Sequence, residues 1–322
     1  MRLLLVELNR FRSRRTIALI ALATVLVAVA FIGATAWNTR PLTQDDHTDA
    51  SAQAELEGQR SEMQQEVRAC RTDPAGYLGP SARADECADA LVPTAESYYP
   101  RDDLALTRVL EKEGINLALI VIGLIVIAGS TFVGADWSSG SLTTQLVFEP
   151  RRTRVWLAKA AAVMIGSGLI TLVVLSGFWL GLGLVAEARG VGTSSAELME
   201  LVWHVVRAVG LAVGAGLGAF ALTMLFRHTV ATLALLFVYA VGGEILVNLL
   251  PLEAAGRWSV GNNAVGWLAL HHDYYGPSDQ CAPGARCGTT QVMSHVEAGS
   301  FLGVLLAIAV LVSLVWFKRR DV

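Results

Sequence analysis

Charge is scarce in this chain. Charged residues make up 16% of its 322 positions and hydrophobic ones 53%, with a mean hydropathy of +0.50, whereas a soluble domain carries about 25% charge. That shortage excludes a soluble enzyme and points to a polytopic membrane protein. Lysine is rarer still, at Lys112, Lys159 and Lys318 only, a compositional hint of a high-GC bacterial genome. Catalytic signatures are missing too. There is no GxxxxGK[ST] phosphate loop, no HExxH and no GxSxG elbow, so the chain has no means of hydrolysing ATP itself and no constellation for intramembrane catalysis. The LSG at 175–177 lies inside an apolar run and is chance.

What is present is a series of long apolar runs. The spacing predicts an all-α membrane fold with six spans, at residues 16–37, 115–133, 155–185, 201–226, 230–250 and 300–317, each close to the length that crosses about 30 Å of hydrocarbon. Residues 1–15 precede them as an amphipathic helix, with Met1, Leu4, Leu5, Leu8 and Phe11 on one face and Arg2, Arg10 and Arg14 largely off it. Such a helix lies in the membrane interface. The first span is longer than a secretory apolar core and reads as uncleaved, cleavage near Ala34–Ala36 being the alternative. With the amino terminus inside, the inner segments collect thirteen basic against four acidic residues, net +9, and the remainder sums to −12. Basic residues at span ends favour the same orientation, a multi-pass protein of the bacterial plasma membrane with both termini, including residues 318–322, in the cytoplasm.

Residues 38–113 are different material: polar, acidic and broken by five prolines. They form an extracellular insertion, helical between Ala50 and Arg68, with turns at Thr72–Pro80 and Tyr98–Arg101. All four cysteines, Cys70, Cys87, Cys281 and Cys287, fall in segments assigned to the outside. An even set on the oxidising face suggests two disulfides. Pairing Cys70 with Cys87 and Cys281 with Cys287 is the simplest of three connectivities, and sequence does not choose. Zinc is the rival use, but the spacing to His271, His272 and His295 matches no familiar site, and no metal is expected.

The stretch at 134–154, with Arg151, Arg152, Arg154 and then Lys159, is basic and must be cytoplasmic. Leu142, Leu146 and Val147 recur at helical spacing, Ser139 or Ser141 could cap a short helix, and Pro150 would end it. The run Gly134, Asp136, Trp137, Ser139, Gly140, Leu142, Thr144, Glu149, Pro150, Arg151, Arg152, Lys159 resembles the loop after the second membrane helix in ABC transporter permeases of the type-2 export family. In that family the loop forms a coupling helix that enters a cleft of the ATPase subunit. The resemblance implies ATPase coupling through Asp136, Ser141, Leu142, Leu146, Glu149, Arg151 and Arg152. It also implies a separate ATPase that binds ATP and Mg, no cofactor in this chain, a second permease copy, lipid surroundings and no nucleic acid. Export of a substrate follows as the expected function. An ATP-driven mechanotransmission or sensor complex acting through the large insertion is the alternative.

Two further features stand out. The segment at 251–299 carries Trp258, Asn262, Asn263 and Trp267, similar to the re-entrant segment before the last helix of type-2 permeases, or else ordinary interfacial tryptophans. His204, Arg207 and Glu244 fall at membrane depth, where ionisable groups are costly. Pairing of Arg207 with Glu244, outward snorkelling of Arg207 and a polar substrate or proton site are the readings open to them. Gly210, Gly214 and Gly218 have the small-xxx-small spacing that lets helices approach, within one chain or between two copies.

Overall fold

The computed structural model describes residues 2–79, 81–243, 245, 255–277 and 288–319. Apolar runs with few helix breakers fold as helices nearly throughout. Among the described residues five helices are long and apolar enough to cross a membrane: Arg15–Asn38, Leu106–Ser138, Arg152–Ala188, Ser195–Phe226 and His295–Arg319. The chain is therefore an all-α polytopic membrane protein. The expected span at 230–250 begins as a shorter apolar helix, Thr229–Gly243; Glu244 and residues 246–254 lie outside the described residues.

The chain divides into two compact units, one of Met1–Gly33 with Ala105–Val322 and one of Ala34–Leu104. In the first, α1 (Arg2–Ser13) leads into α2 (Arg15–Asn38), whose last residues enter the second unit. After the insertion the helix restarts at Leu106, earlier than the span limit at Ile115 suggests: α7 (Leu106–Val109) passes through a π turn at Leu110–Gly114 into α8 (Ile115–Ser138). A short helix α9 (Ser141–Phe148) precedes the long helices α10 (Arg152–Ala188) and α11 (Ser195–Phe226), with α12 (Thr229–Val238) after them. A last group follows: α13 (Val260–Leu268), an antiparallel hairpin of β1 (Asp273–Pro277) with β2 (Gly288–Val292), and α14 (His295–Arg319).

Close backbone approach sets the centre of the bundle. A Cβ on Gly129 of α8 would lie 2.6 Å from the Gly216 carbonyl of α11, so the two helices meet without side chains between them. Gly214 and Gly218 face Leu306 of α14, and Gly181 faces Ile32 of α2. These glycines thus pack within one chain. Below this crossing, Phe11, Phe132, Leu142, Val155, Trp156, Phe220 and Phe317 share one apolar core, which ties α1 and α9 to the ends of four long helices.

The second unit is built on α3 (Gln44–Gly58) and α4 (Ser61–Thr72), followed by a one-turn helix α5 (Pro74–Leu78) and α6 (Glu86–Leu91). The helix expected from Ala50 to Arg68 is thus two helices, and α5 occupies most of a stretch read as turn. Thr43 and Asp46 form a capping box at α3, satisfying two of the amide groups a helix start leaves free. Arg101 pairs with Asp46 and Tyr99 with His47 at 3.2 Å, closing the end of the unit onto its beginning. A disulfide joins Cys70 to Cys87 across 17 residues, a loop for which a crosslink is worth about 3 kcal/mol. Cys281 and Cys287 lie outside the described residues.

Candidate functional site

The segment singled out by its charge and tryptophan folds as a tight reversal between two membrane helices. Ser139 ends α8, and Gly140 takes a left-handed conformation with φ of 67°, which glycine adopts without strain. Neither serine caps α9. Ser141 instead donates its hydroxyl to Asp136 Oδ1 at 3.0 Å, because the left-handed turn brings the first residue of α9 back onto the last turn of α8. The backbone amide of Glu149 closes α9 on the Gln145 carbonyl, one residue ahead of Pro150.

α9 has an inner and an outer face. Leu142 is wholly buried in the apolar core and Leu146 packs against it, whereas Val147 and Phe148 are 80% and 85% exposed. The sequence groups Leu142, Leu146 and Val147 by helical spacing, and the structure divides them. The two leucines anchor the helix to its own chain, and Val147 and Phe148 face outward. Beside Phe148 lies an open cleft of about 700 Å³ between α1 and α9, lined by Val6, Arg10, Thr144, Gln145, Phe148 and Glu149 among others. Arg151 is exposed at the start of α10, and Arg152 follows half-buried.

Beneath the cleft is a buried charge cluster. Lys159 of α10, fully buried, donates to Glu7 Oε2 of α1 at 2.8 Å and to Asp136 Oδ2 of α8 at 2.5 Å. Arg14 pairs with the other oxygen of Asp136 and donates to the Thr131 carbonyl at 3.3 Å. Gln145 of α9 donates its side-chain amide to Glu7 Oε1 at 2.8 Å, and Arg10 reaches the same oxygen at 3.4 Å. Both cations also lie over the face of Phe132, Arg14 at 4.9 Å and Lys159 at 5.4 Å from its centroid, which adds a cation–π attraction. Two carboxylates and the two cations Lys159 and Arg14 balance one another, with Lys159, Glu7 and Asp136 buried and Arg14 partly exposed. Removing one member would strand its partners and cost about 3–5 kcal/mol.

Of the residues expected to matter here, Asp136 and Ser141 belong to this cluster, Leu142 and Leu146 to the core below it, and Glu149 to the cleft. Glu7, Gln145 and Lys159 had no such role in the sequence reading. The signal for Glu7 was available: it is the one acid on an otherwise basic helix, and it stands four residues before Phe11, on the stripe that α1 buries. The apolar face assigned to that helix is correspondingly shifted. Glu7 and Phe11 are buried, while Leu5 is 65% exposed.

At the other end of the bundle, His204 and Arg207 of α11 both reach the carboxyl end of α13. The His204 ring donates from Nδ1 to the Leu268 carbonyl and Arg207 donates to the Ala269 carbonyl, each at 3.3 Å. Trp267 returns a bond from its ring nitrogen to the Arg207 carbonyl at 2.9 Å. A positive side chain at a helix carboxyl end is favourable, and it gives Arg207 a partner that spacing did not suggest; the proposed partner Glu244 is not among the described residues. Asn262 and Asn263 serve the amino end of α13, donating to the carbonyls of Gly256, Arg257 and Ser259. Trp258 packs edge-on against Phe301 at 6.0 Å. The described residues hold no group of three or more His, Cys, Asp or Glu placed to bind a metal ion.

In a comparison with known families, the model described as ABC-2 family transporter protein matches residues 7–322. No curated protein and no solved structure matches the chain.

Proposed function

This chain belongs to the ABC-2 transporter family, as a membrane-spanning permease subunit of an ABC transporter, and from that premise we propose that it exports its substrate with energy from a separate ATPase that docks on α9. The observation that carries the docking assignment is the pair Val147 and Phe148, large apolar side chains 80% and 85% exposed at the end of a short helix beside an open cleft. Aromatic side chains, phenylalanine among them, are enriched at protein interfaces relative to the rest of the surface. Glu149, Arg151 and Arg152 supply a charged rim, and α1 offers a second contact along the cleft through Val6 and Arg10. ATP and Mg belong to the partner subunit. Closure of two ATPase subunits would draw α9 and shift the long helices between inward-open and outward-open packing, a rigid-body change of helices. A second copy of the permease completes the pathway, and both termini lie in the cytoplasm of a bacterial cell.

The compact, disulfide-linked unit at Ala34–Leu104 favours a second reading, in which the same ATP-driven movement reshapes this unit and works on an outer partner without transport. Substrate efflux dependent on ATP separates the two.

The docking test is a pull-down of the tagged protein from its native membrane in mild detergent. A subunit bearing a phosphate loop and hydrolysing ATP should accompany the wild-type protein, and Phe148→Ser with Val147→Ser should lose it while the permease stays folded. Leu142→Asp, by contrast, should lower the yield of folded protein, since it puts a carboxylate into a closed apolar core. Undiminished ATPase capture by the Val147 and Phe148 variant would remove α9 as the docking element.

A further inference from the structure

The buried cluster connects segments that apolar packing alone would leave able to slide. Glu7 lies on α1, which turns directly into α2; Asp136 closes α8; Gln145 is in the middle of α9; Lys159 is two turns into α10. One ammonium group holds the carboxylates of two of these helices, and one of those carboxylates receives the amide of a third. We propose that Lys159 is a positioning residue for energy coupling: it fixes Glu7 where Gln145 can reach it, so that a displacement of α9 carries α1 and the adjoining ends of α8 and α10 with it. This deepens, and rests on, the reading of α9 as the ATPase contact.

Holding the fold together does not by itself require these charges. A buried ion pair loses much of its Coulomb attraction to desolvation, and apolar side chains of similar volume stabilise as well or better. What ions and an oriented amide supply is direction. Leu142 keeps α9 from leaving the core, but a leucine in an apolar socket tolerates small rotations and shifts along the helix axis. The bond from Gln145 to Glu7 does not, because a hydrogen bond weakens steeply once the donor angle falls away from linear. Glu7 can resist in turn only because Lys159 pins its other oxygen from α10. From α9 to α1 the path therefore runs through Gln145 and Glu7, which Lys159 holds from α10; a second oriented bond, Ser141 to Asp136, joins α9 to α8, and Lys159 ties the two carboxylates together while Arg14 extends the cluster to the start of α2.

Gln145→Leu separates this role from a merely structural one, since it cuts the direct bond from α9 to α1 while leaving Ser141 on Asp136 and every charge in the cluster paired. The experiment uses the permease with its copurified ATPase in lipid nanodiscs and measures hydrogen exchange with and without ATP and vanadate. In the wild-type complex, exchange should change in α9 and, together with it, in α1 and at the start of α10. In Gln145→Leu, compared with the wild-type protein at equal ATPase occupancy, the nucleotide-dependent change should still appear in α9 but should no longer reach α1. Lys159→Arg, which keeps the charge and can span both carboxylates, should retain the wild-type pattern; Lys159→Met should lose it, and if that variant fails to fold, Gln145→Leu carries the test alone. A wild-type pattern of exchange in Gln145→Leu overturns the proposal and leaves the cluster as packing. If the wild-type protein captures no ATPase, the docking reading fails first and visibly, and this inference falls with it.

Discussion

Gly129 shows how much of this fold rests on the absence of one side chain. Its missing Cβ would stand 2.6 Å from the Gly216 carbonyl, a rigid backbone atom of the facing helix, and Gly216 itself is closed in by Ser167 and Ile125. Gly129→Ala should therefore force α8 and α11 apart and lower stability by about 1–3 kcal/mol, as overpacking does. Unfolding in mixed detergent micelles would measure it, and an unchanged midpoint would mean that the crossing is looser than described. Gly210→Ala is the matched control, because nothing lies within 4 Å of the Cβ it would add. The glycine pattern on this helix was legible in the sequence, but its meaning was not. Spacing picks out Gly210, Gly214 and Gly218 as a stripe, whereas the residue that meets another backbone is Gly216, off that stripe. Small-residue spacing shows that a helix can be approached; which face is used depends on where the partner helix has its own glycine.

At the scale of elements, legibility divides along the same line. Helical periodicity and Pro150 pointed to a short helix where α9 (Ser141–Phe148) lies, since these signals are local, although neither serine offered as its cap serves as one. Which face of α9 points inward was not local. It depends on the left-handed turn at Gly140 and on the socket formed by Phe11, Phe132 and Val155 from distant parts of the chain. Lys159 was hidden for a different reason: counted with Arg151, Arg152 and Arg154 as a cytoplasmic charge, it looked like one more solvated cation. Only a partner 152 positions away in sequence reveals that it is buried. The cap of α3, by contrast, is local and makes a prediction about pH. The Asp46 carboxyl is held below its ordinary value of 3.8 by the Thr43 backbone amide, the Thr43 hydroxyl and then the Arg101 guanidinium, all of which favour the charged form. A depressed carboxyl contributes stability above its unfolded pKa and loses it as pH falls through the folded one. The start of α3 should therefore be protected at neutral pH and should loosen only below about pH 3.8. Hydrogen exchange at residues 43–48, corrected for intrinsic rates, would follow it, and Asp46→Asn should show the loosened state already at pH 7. Acid-independent exchange in the wild-type protein would show that the box contributes nothing to holding the unit closed.

For the whole molecule, the proposed orientation is an expectation drawn from the charge distribution and the cysteines. Sorting residues by an alternating six-span path gives +9 on one side and −12 on the other, the asymmetry that membrane insertion imposes on short loops. The same path puts Cys70 and Cys87 on the negative side, and these two form a disulfide, which persists only on an oxidising face. The later helices do not enter into this, because in the sequence a single candidate span, the one ending at Ser138, lies between the insertion and α9. Our proposal that this helix crosses the membrane puts the two on opposite sides. The test needs only impermeant reagents and sealed, right-side-out vesicles. In a background with all four cysteines replaced by serine, a membrane-impermeant maleimide should label Leu56→Cys at once, since Leu56 is 67% exposed on the insertion. In the same background, Phe148→Cys should stay unlabelled until the vesicles are opened. Labelling of both sites from the same side would mean that Leu106–Ser138 does not cross the membrane. The docking surface would then be exposed on the side where no ATP is available, and an ATPase could not drive the transporter from α9.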